Sequence, residues 1–472
     1  MSATPAAWLD RGVLSVLVAR LLPLMAAPVA LVLVATTRSP AEQGFYFILL
    51  NLQALAQLAE LGTGALLVQF AARESDAVHW AHGDLAGDAD AVARVRAVTR
   101  AAVAWYARAA LGLALLAPLV VLALREEGAR TGVAYGGATI AALLLTACYL
   151  PLVPLIAAAE GIGRLVAVQR MRLAQAALGL VALWSGILTV GAPWAVALLA
   201  AAWLLVAALW LARHAASFAR ALWRPGAHGA DDVRRLRAAQ WRTALHWLAL
   251  WAAPQSLGPL LLRGQGAAAA GRAGLALALA TAAATLGVSW LHARYPRLAA
   301  LTAAGRHAET ASLARRALGQ ALAVGAAVAV AITTLVAVAG VYLPALAARS
   351  LSPWGVAALG ASALGWVVVH GVSAWLRAER AEPLWAHTVC GALAVIAASW
   401  WGAHAATPER AALAYAAAVL LVAAVIGWTG ARRAMRTTPR LGRVDAAVDT
   451  IATIDTIDAT PDSMLDLSSR PT

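Results

Sequence analysis

The chain has 472 residues, of which 62% are hydrophobic and only 13% charged, where an ordinary soluble domain carries ~25% charged residues. That is more apolar surface than one water-soluble core can hide, and it excludes a disordered chain and a small disulfide-framed domain. The net charge of +14 does not make a nucleic-acid binder, because the basic residues are scattered through short loops between apolar runs instead of forming one folded basic face.

Taken in chain order, the apolar runs bounded by charges, Gly or Pro give twelve candidate transmembrane helices. They lie near residues 13–36, 44–70, 101–124, 133–158, 173–190, 194–212, 244–262, 273–291, 317–343, 354–376, 384–404 and 411–430. A single Arg precedes the first run, which has no small-residue cleavage site and reads as a retained span, not a signal peptide. All 37 basic residues are Arg, a bias of composition to which no function attaches. Cys148 and Cys390 stand in apolar stretches without a partner at metal-ligand spacing, as small packing residues would.

Counting Arg in alternate loops gives 28 on the side of the two termini and 7 on the other, with Arg20 and Arg108 inside spans. By the positive-inside rule both termini are expected in the cytoplasm. The longest internal loop, Arg213 to Arg242, divides the spans six and six. The expected architecture is therefore all-α and polytopic: a six-helix lobe over residues 1–212, a cytoplasmic linker over 213–243, a second six-helix lobe over 244–430 and a disordered cytoplasmic tail over 431–472. A local repeat supports duplication. Ala26-Ala27-Pro28 is followed 16 residues later by Gly44, and Ala252-Ala253-Pro254 is followed 17 residues later by Gly271. The tail begins with five Arg and then turns to Asp, Thr, Ser and Pro, a composition suited to anionic headgroups and water.

Ionisable and amide groups within spans are costly enough to be candidates for function. In the second span Gln53, Gln57 and Glu60 follow one helical face, with Asn51 and Gln69 near its ends; the stripe is either a cavity wall or hydrogen-bonding glue between helices. Arg20 can share a level with Glu60, where the two charges would neutralise each other, or its long stem can lift the head to the membrane surface. The same alternatives hold for Arg108. At the start of the seventh span Gln240, Trp241, Arg242, His246 and Trp247 concentrate aromatic and hydrogen-bonding groups, as a binding surface or an interfacial belt would. Gln255, Arg263, Trp290, His292, His370 and Trp375 are further candidates.

Other motifs lead nowhere. His79, His82, Asp84 and Asp88 share one loop and read as solvated residues in preference to a metal site. Gly264, Gly266, Gly271 and Gly274 do not sit at a strand-to-helix turn, as a dinucleotide fingerprint requires. No Walker sequence and no nucleophile beside a base point to an enzyme, and no cofactor or metal is expected.

Several of these segments carry a family resemblance: Ala41-Glu42-Gln43-Gly44-Phe45-Tyr46-Phe47, Glu60-Leu61-Gly62, Val68-Gln69-Phe70-Ala71, Glu160-Gly161, and Gln240-Trp241-Arg242 with Ala244 and Trp247. Over its first 300 or so residues the chain resembles the bacterial polysaccharide-biosynthesis flippases of the O-antigen type, within the superfamily that includes the multidrug and toxic-compound extruders. It departs from their pattern at His246 and Arg272. The resemblance implies two six-helix lobes about a cleft that opens alternately to each side of the bacterial inner membrane. It also implies a polyprenyl-pyrophosphate-linked oligosaccharide as substrate, with membrane lipids and polysaccharide polymerase machinery as partners. Arg20, assisted by Arg108 and His246, would be the cationic donors for a pyrophosphate. A small-molecule exporter of the extruder type is the alternative; a lipid-modifying membrane enzyme would need a large outer loop, and a scaffold would use the polar stripe as glue alone.

Overall fold

The computed structural model describes residues 28–56, 63–223 and 244–437, apart from 293, 295, 296, 299, 300, 303 and 380–383. Helix α1 is Pro28–Thr37. It is followed by α2 (Pro40–Gln53), α3 (Thr63–Arg73), strands β1 (Val78–Ala81) and β2 (Asp84–Gly87), and the 35-residue α4 (Ala89–Ala123). Then come α5 (Gly136–Tyr149), α6 (Val153–Ala159), α7 (Leu165–Thr189) and α8 (Ala192–His214). The second half holds α9 (residues 244–255), α10 (Leu257–Gln265), α11 (Ala267–His292), α12 (His307–Tyr342), α13 (Pro353–Glu379), α14 (Trp385–Ala403) and α15 (Pro408–Thr437).

Eight helical stretches among the described residues are long and apolar enough to cross a membrane. One of them, Gly136–Thr189, is 54 residues long. At 1.5 Å per residue that is ~80 Å, against a hydrocarbon core of ~30 Å, so it is two crossings. The chain turns back at Glu160–Arg164, where Ile162 leaves helical geometry and Gly163 takes a φ of +78°, a left-handed conformation that glycine adopts without a Cβ clash. Three further expected spans carry shorter helices among the described residues: α1 for the first, α2 with α3 for the second, and α9 with α10 for the seventh. Where they are described, the expected spans thus coincide with helix, and the protein is a polytopic all-α membrane protein.

The differences lie at edges and breaks. α4 and α7 begin well before the expected starts at 101 and 173. Asp88 caps α4 by accepting the Ala91 N–H, and Val92, Val95 and Val98 are buried against the β hairpin and α3. In α7 the early polar residues are used inside the fold: Arg172 pairs with Glu160 at 2.7 Å, and Gln169 donates to the same carboxylate. The seventh span is broken at Ser256, two residues after Pro254, whose missing N–H interrupts the helical ladder; Ser256 Oγ donates to the Ala253 carbonyl and lies 3.1 Å from Ser399 Oγ.

The loop expected to be merely solvated forms an antiparallel hairpin, with Val78 paired to Gly87 and Ala81 to Asp84. Its turn residues, His82 and Gly83, both have positive φ, the requirement of a two-residue hairpin turn. Asp84 pairs with Arg96 at 2.9 Å. Trp80 packs edge-on against Phe218 and beneath the Arg164 guanidinium.

Within the first half α8 packs on α5 and α7; within the second, α13 packs on α11, α12 and α15. Small residues set the helix spacing, as they do where lipid offers no hydrophobic drive for association. A Cβ at Gly186 would stand 2.8 Å from Ala195 Cα, and one at Gly402 2.8 Å from Ala411 Cα. The resemblance segments meet as well: a Cβ at Gly161 would lie 2.6 Å from both the Val68 carbonyl oxygen and Ala71 Cβ.

Candidate functional site

The two halves touch chiefly through α2 and α11, and the contact is built from glycine. A Cβ at Gly44 would lie 2.1 Å from the Ala267 carbonyl oxygen, and one at Gly271 would lie 2.8 Å from the Gly44 nitrogen and 3.1 Å from the Pro40 carbonyl oxygen. A shift of 227 residues carries Pro40 onto Ala267 and Gly44 onto Gly271. Each contact therefore recurs with the roles exchanged, which is the signature of a two-fold axis. The pairing is tied by Gln43, fully enclosed, whose Nε2 donates to the Gly271 and Arg349 carbonyls at 2.9 and 2.8 Å. Glu127, in the short helix Arg125–Thr131, adds a charged tie by accepting the Ala267 N–H at 2.5 Å. It meets the first turn of α11, where the helix dipole favours an anion, and also holds Arg130 at 2.7 Å.

Away from this sealed end the described residues enclose three cavities beside α2 and α11. One of about 400 Å³ lies between the halves, with Asn51, Gln255, Tyr46 and Thr281 as its polar groups. A second, of about 360 Å³, belongs to the first half and is walled by Gln53, Thr146, Tyr149 and Trp203. A third, of about 240 Å³, belongs to the second half and holds Trp366, His370 and Tyr415 among small hydroxyl residues. No Asp or Glu lines any of the three among the described residues. The surfaces are amide, hydroxyl and aromatic on an aliphatic ground, suited to an uncharged polar ligand.

The sequence candidates divide accordingly. Gln53 and Gln255 reach cavities. His246 is entirely buried, and Trp247 on the same helix is exposed among apolar neighbours, a lipid-facing position. Of the two alternatives for Arg108 the structure favours the lipid-facing one: it stands on the exposed face of α4 with Trp105, Leu111 and Leu115 and lines none of the three cavities, where an arginine stem runs along lipid to reach the headgroups. Arg20, Gln57, Glu60, Gln240, Trp241 and Arg242 lie outside the described residues. Sequence reasoning passed over Tyr149, Trp203, Trp366 and Tyr415, because uncharged residues in apolar runs look like core. For Tyr149 and Trp366 the available signal was a hydroxyl residue one helical turn before, Thr146 and Ser362; Trp203 and Tyr415 carry no such signal.

No protein-family model matches the chain, and no curated protein does. Solved structures do. The inward-facing conformation of a multidrug resistance MATE family transporter of the MOP superfamily superposes with a TM-score of 0.65 at 13% identity, covering 90% of this chain and 99% of that one. The chain has the MATE fold. The outward-facing conformation of a multidrug resistance MATE family transporter of the MOP superfamily matches at 13% identity with a TM-score of 0.55, covering 90% and 95%. A MOP superfamily transporter from Pyrococcus furiosus, with a binding pocket described as of reverse polarity, matches at 14% identity with a TM-score of 0.52, covering 90% and 94%. Of the three cavities the one of about 400 Å³ is lined from both halves, and with its neighbours beside α2 and α11 it forms the candidate site.

Proposed function

We propose that this protein is a flippase that moves a polyprenyl-pyrophosphate-linked oligosaccharide across the bacterial inner membrane for surface polysaccharide synthesis. The observation that carries this reading is the lining of the cavities by amides, hydroxyls, Tyr and Trp. Hydroxyl-rich sugars are bound by such groups, which supply donors, acceptors and stacking faces together. The Arg bias puts both termini in the cytoplasm, so the Gly44–Gly271 seal lies at the periplasmic end and the cleft faces the cytoplasm, where a newly made lipid-linked glycan is loaded. The higher TM-score against the inward-facing structure accords with that.

In this mechanism Arg20 captures the pyrophosphate, the glycan enters the cleft and the prenyl tail stays in lipid. Glu60 neutralises Arg20 while the cleft is empty. The halves, 1–212 and 244–430, then rock about the axis between Gly44 and Gly271, joined by the linker 213–243, and deliver the headgroup to polymerase machinery outside. The second reading, a MATE-type small-molecule exporter, is favoured by the neighbours described as multidrug transporters.

Mass spectrometry of lipid extracts from a host depleted of this protein separates the two. Accumulation of a polyprenyl-pyrophosphate oligosaccharide with loss of surface glycan is expected. Unchanged intermediates and intact glycan, in a host without a second flippase, would leave the exporter. Arg20→Glu should reproduce the depletion at wild-type protein level.

A further inference from the structure

Two polar ladders meet in the second half. On α11, Thr281, Thr285 and Ser289 follow each other at intervals of four and are exposed on one face. On the neighbouring α13, Ser362, Trp366 and His370 recur at the same interval, the first two buried and His370 half-buried, and both ladders line the cavity of about 240 Å³. Its wall is completed by Tyr415 of α15, whose hydroxyl accepts from Trp366 Nε1 at 3.0 Å. That bond uses an oxygen lone pair and leaves the Tyr415 proton to donate. Thr281, Thr285 and Ser362 each donate to a backbone carbonyl of their own helix, at 2.8, 2.7 and 2.7 Å, so their oxygens keep acceptor capacity. The pocket thus combines donors and acceptors over an aromatic surface, with no fixed charge among its lining residues. Leu277 and Thr281 line this pocket and the cavity between the halves alike, so the smaller chamber opens beside the larger one.

We infer that this chamber is a binding subsite for one sugar ring of the transported glycan, held by the α11 and α13 ladders while the rest of the headgroup occupies the space between the halves. The inference rests on the flippase reading and adds to it the place where the glycan is recognised. The volume suits that role: it equals about eight waters at ~30 Å³ each, room for a single ring and not for an oligosaccharide. The α11 hydroxyls are exposed toward the cavity, so their removal leaves the helix packing intact.

The test uses the full chain with Cys148 and Cys390 replaced by Ala, in the depleted host and after purification. Ser289→Cys is placed at the chamber and its labelling by a maleimide is measured with two probes: the lipid-linked oligosaccharide extracted from the depleted host, and polyprenyl pyrophosphate without sugar. The glycan-bearing lipid should slow labelling, and the sugar-free lipid should not. Thr285→Val with Ser289→Ala should reduce clearance of the lipid-linked glycan about tenfold, the loss expected for two neutral hydrogen bonds, at unchanged protein level and melting temperature. If wild-type protein clears the lipid-linked glycan but Ser289→Cys is unprotected and the double variant clears it normally, the subsite is refuted and the flippase reading stands. If wild-type protein clears none, both fall together.

Discussion

At the scale of single residues, the contact between halves depends on two positions that tolerate no side chain. Gly44 would place a Cβ 2.1 Å from a backbone oxygen, and backbone cannot swing aside as a flexible side chain can. Gly44→Val should therefore separate α2 from α11 and lower the melting temperature of the purified protein by several degrees, a destabilisation of at least ~2 kcal/mol by the scale of overpacked sites. Gly340→Ala, where nothing lies within 4 Å, should be neutral or stabilising by up to ~1 kcal/mol from helix propensity alone. Equal melting temperatures for the two variants would show that the crossing is not held by close approach. Position on the helix also explains why Arg108 and Gln53 part ways. Both are polar residues within expected spans; the face of the helix, not the residue type, decides that one meets lipid and the other a cavity.

At the scale of elements, α11 begins where three ties converge: the carboxylate of Glu127 on its first N–H, Gln43 on the Gly271 carbonyl, and the Gly44 crossing. A charged hydrogen bond between halves biases whichever state keeps it. Glu127→Ala should shift the equilibrium about fivefold toward separation of that end, ~1 kcal/mol after allowance for solvent. Spin labels at Ala134→Cys and Ala268→Cys would read it as growth of a longer distance component. Arg130→Ala is the contrasting variant: with two-thirds of its side chain exposed, its ion pair contributes little, and the distance distribution should not move. Growth of the long component in both variants would assign the effect to the loop and not to the carboxylate on α11. The same scale explains the broken spans. Pro254 and the Ser256 hydrogen bonds interrupt the seventh, and hydropathy, which averages over a window, cannot register a break of one residue.

At the scale of the whole molecule, the Arg distribution and the two-fold contact fix how the protein should sit. In spheroplasts, with Cys148 and Cys390 replaced by Ala, an impermeant maleimide should label Thr407→Cys, between α14 and α15, and should leave Ala304→Cys unlabelled until the membrane is opened. Labelling of Ala304→Cys in intact spheroplasts would invert the orientation and turn the cleft toward the periplasm. With the expected orientation, the Gly44–Gly271 seal closes the outer end. The amide and hydroxyl cavities then belong to a vestibule reached from the cytoplasmic side.

The sequence by itself determined that the chain spans a membrane, which stretches are helical although several starts lie two or three turns off, which end of each is the more basic, and that Gly44 and Gly271 occupy matching places in a local repeat. These are local or additive properties: hydropathy sums over a window, charge sums over a loop, and a repeat is read by sliding one half over the other. Only the tertiary structure decided that the two related glycines meet each other, that Glu127 reaches across to α11, that Arg108 faces outward, and that Trp366, His370 and Tyr415 share a chamber with the α11 hydroxyls. Those facts depend on how each helix is rotated about its axis and which helix it packs against. In a chain this rich in Ala and Leu, apolar on nearly every face, the rotation is set by close packing between small residues, to which a hydrophobic pattern is blind.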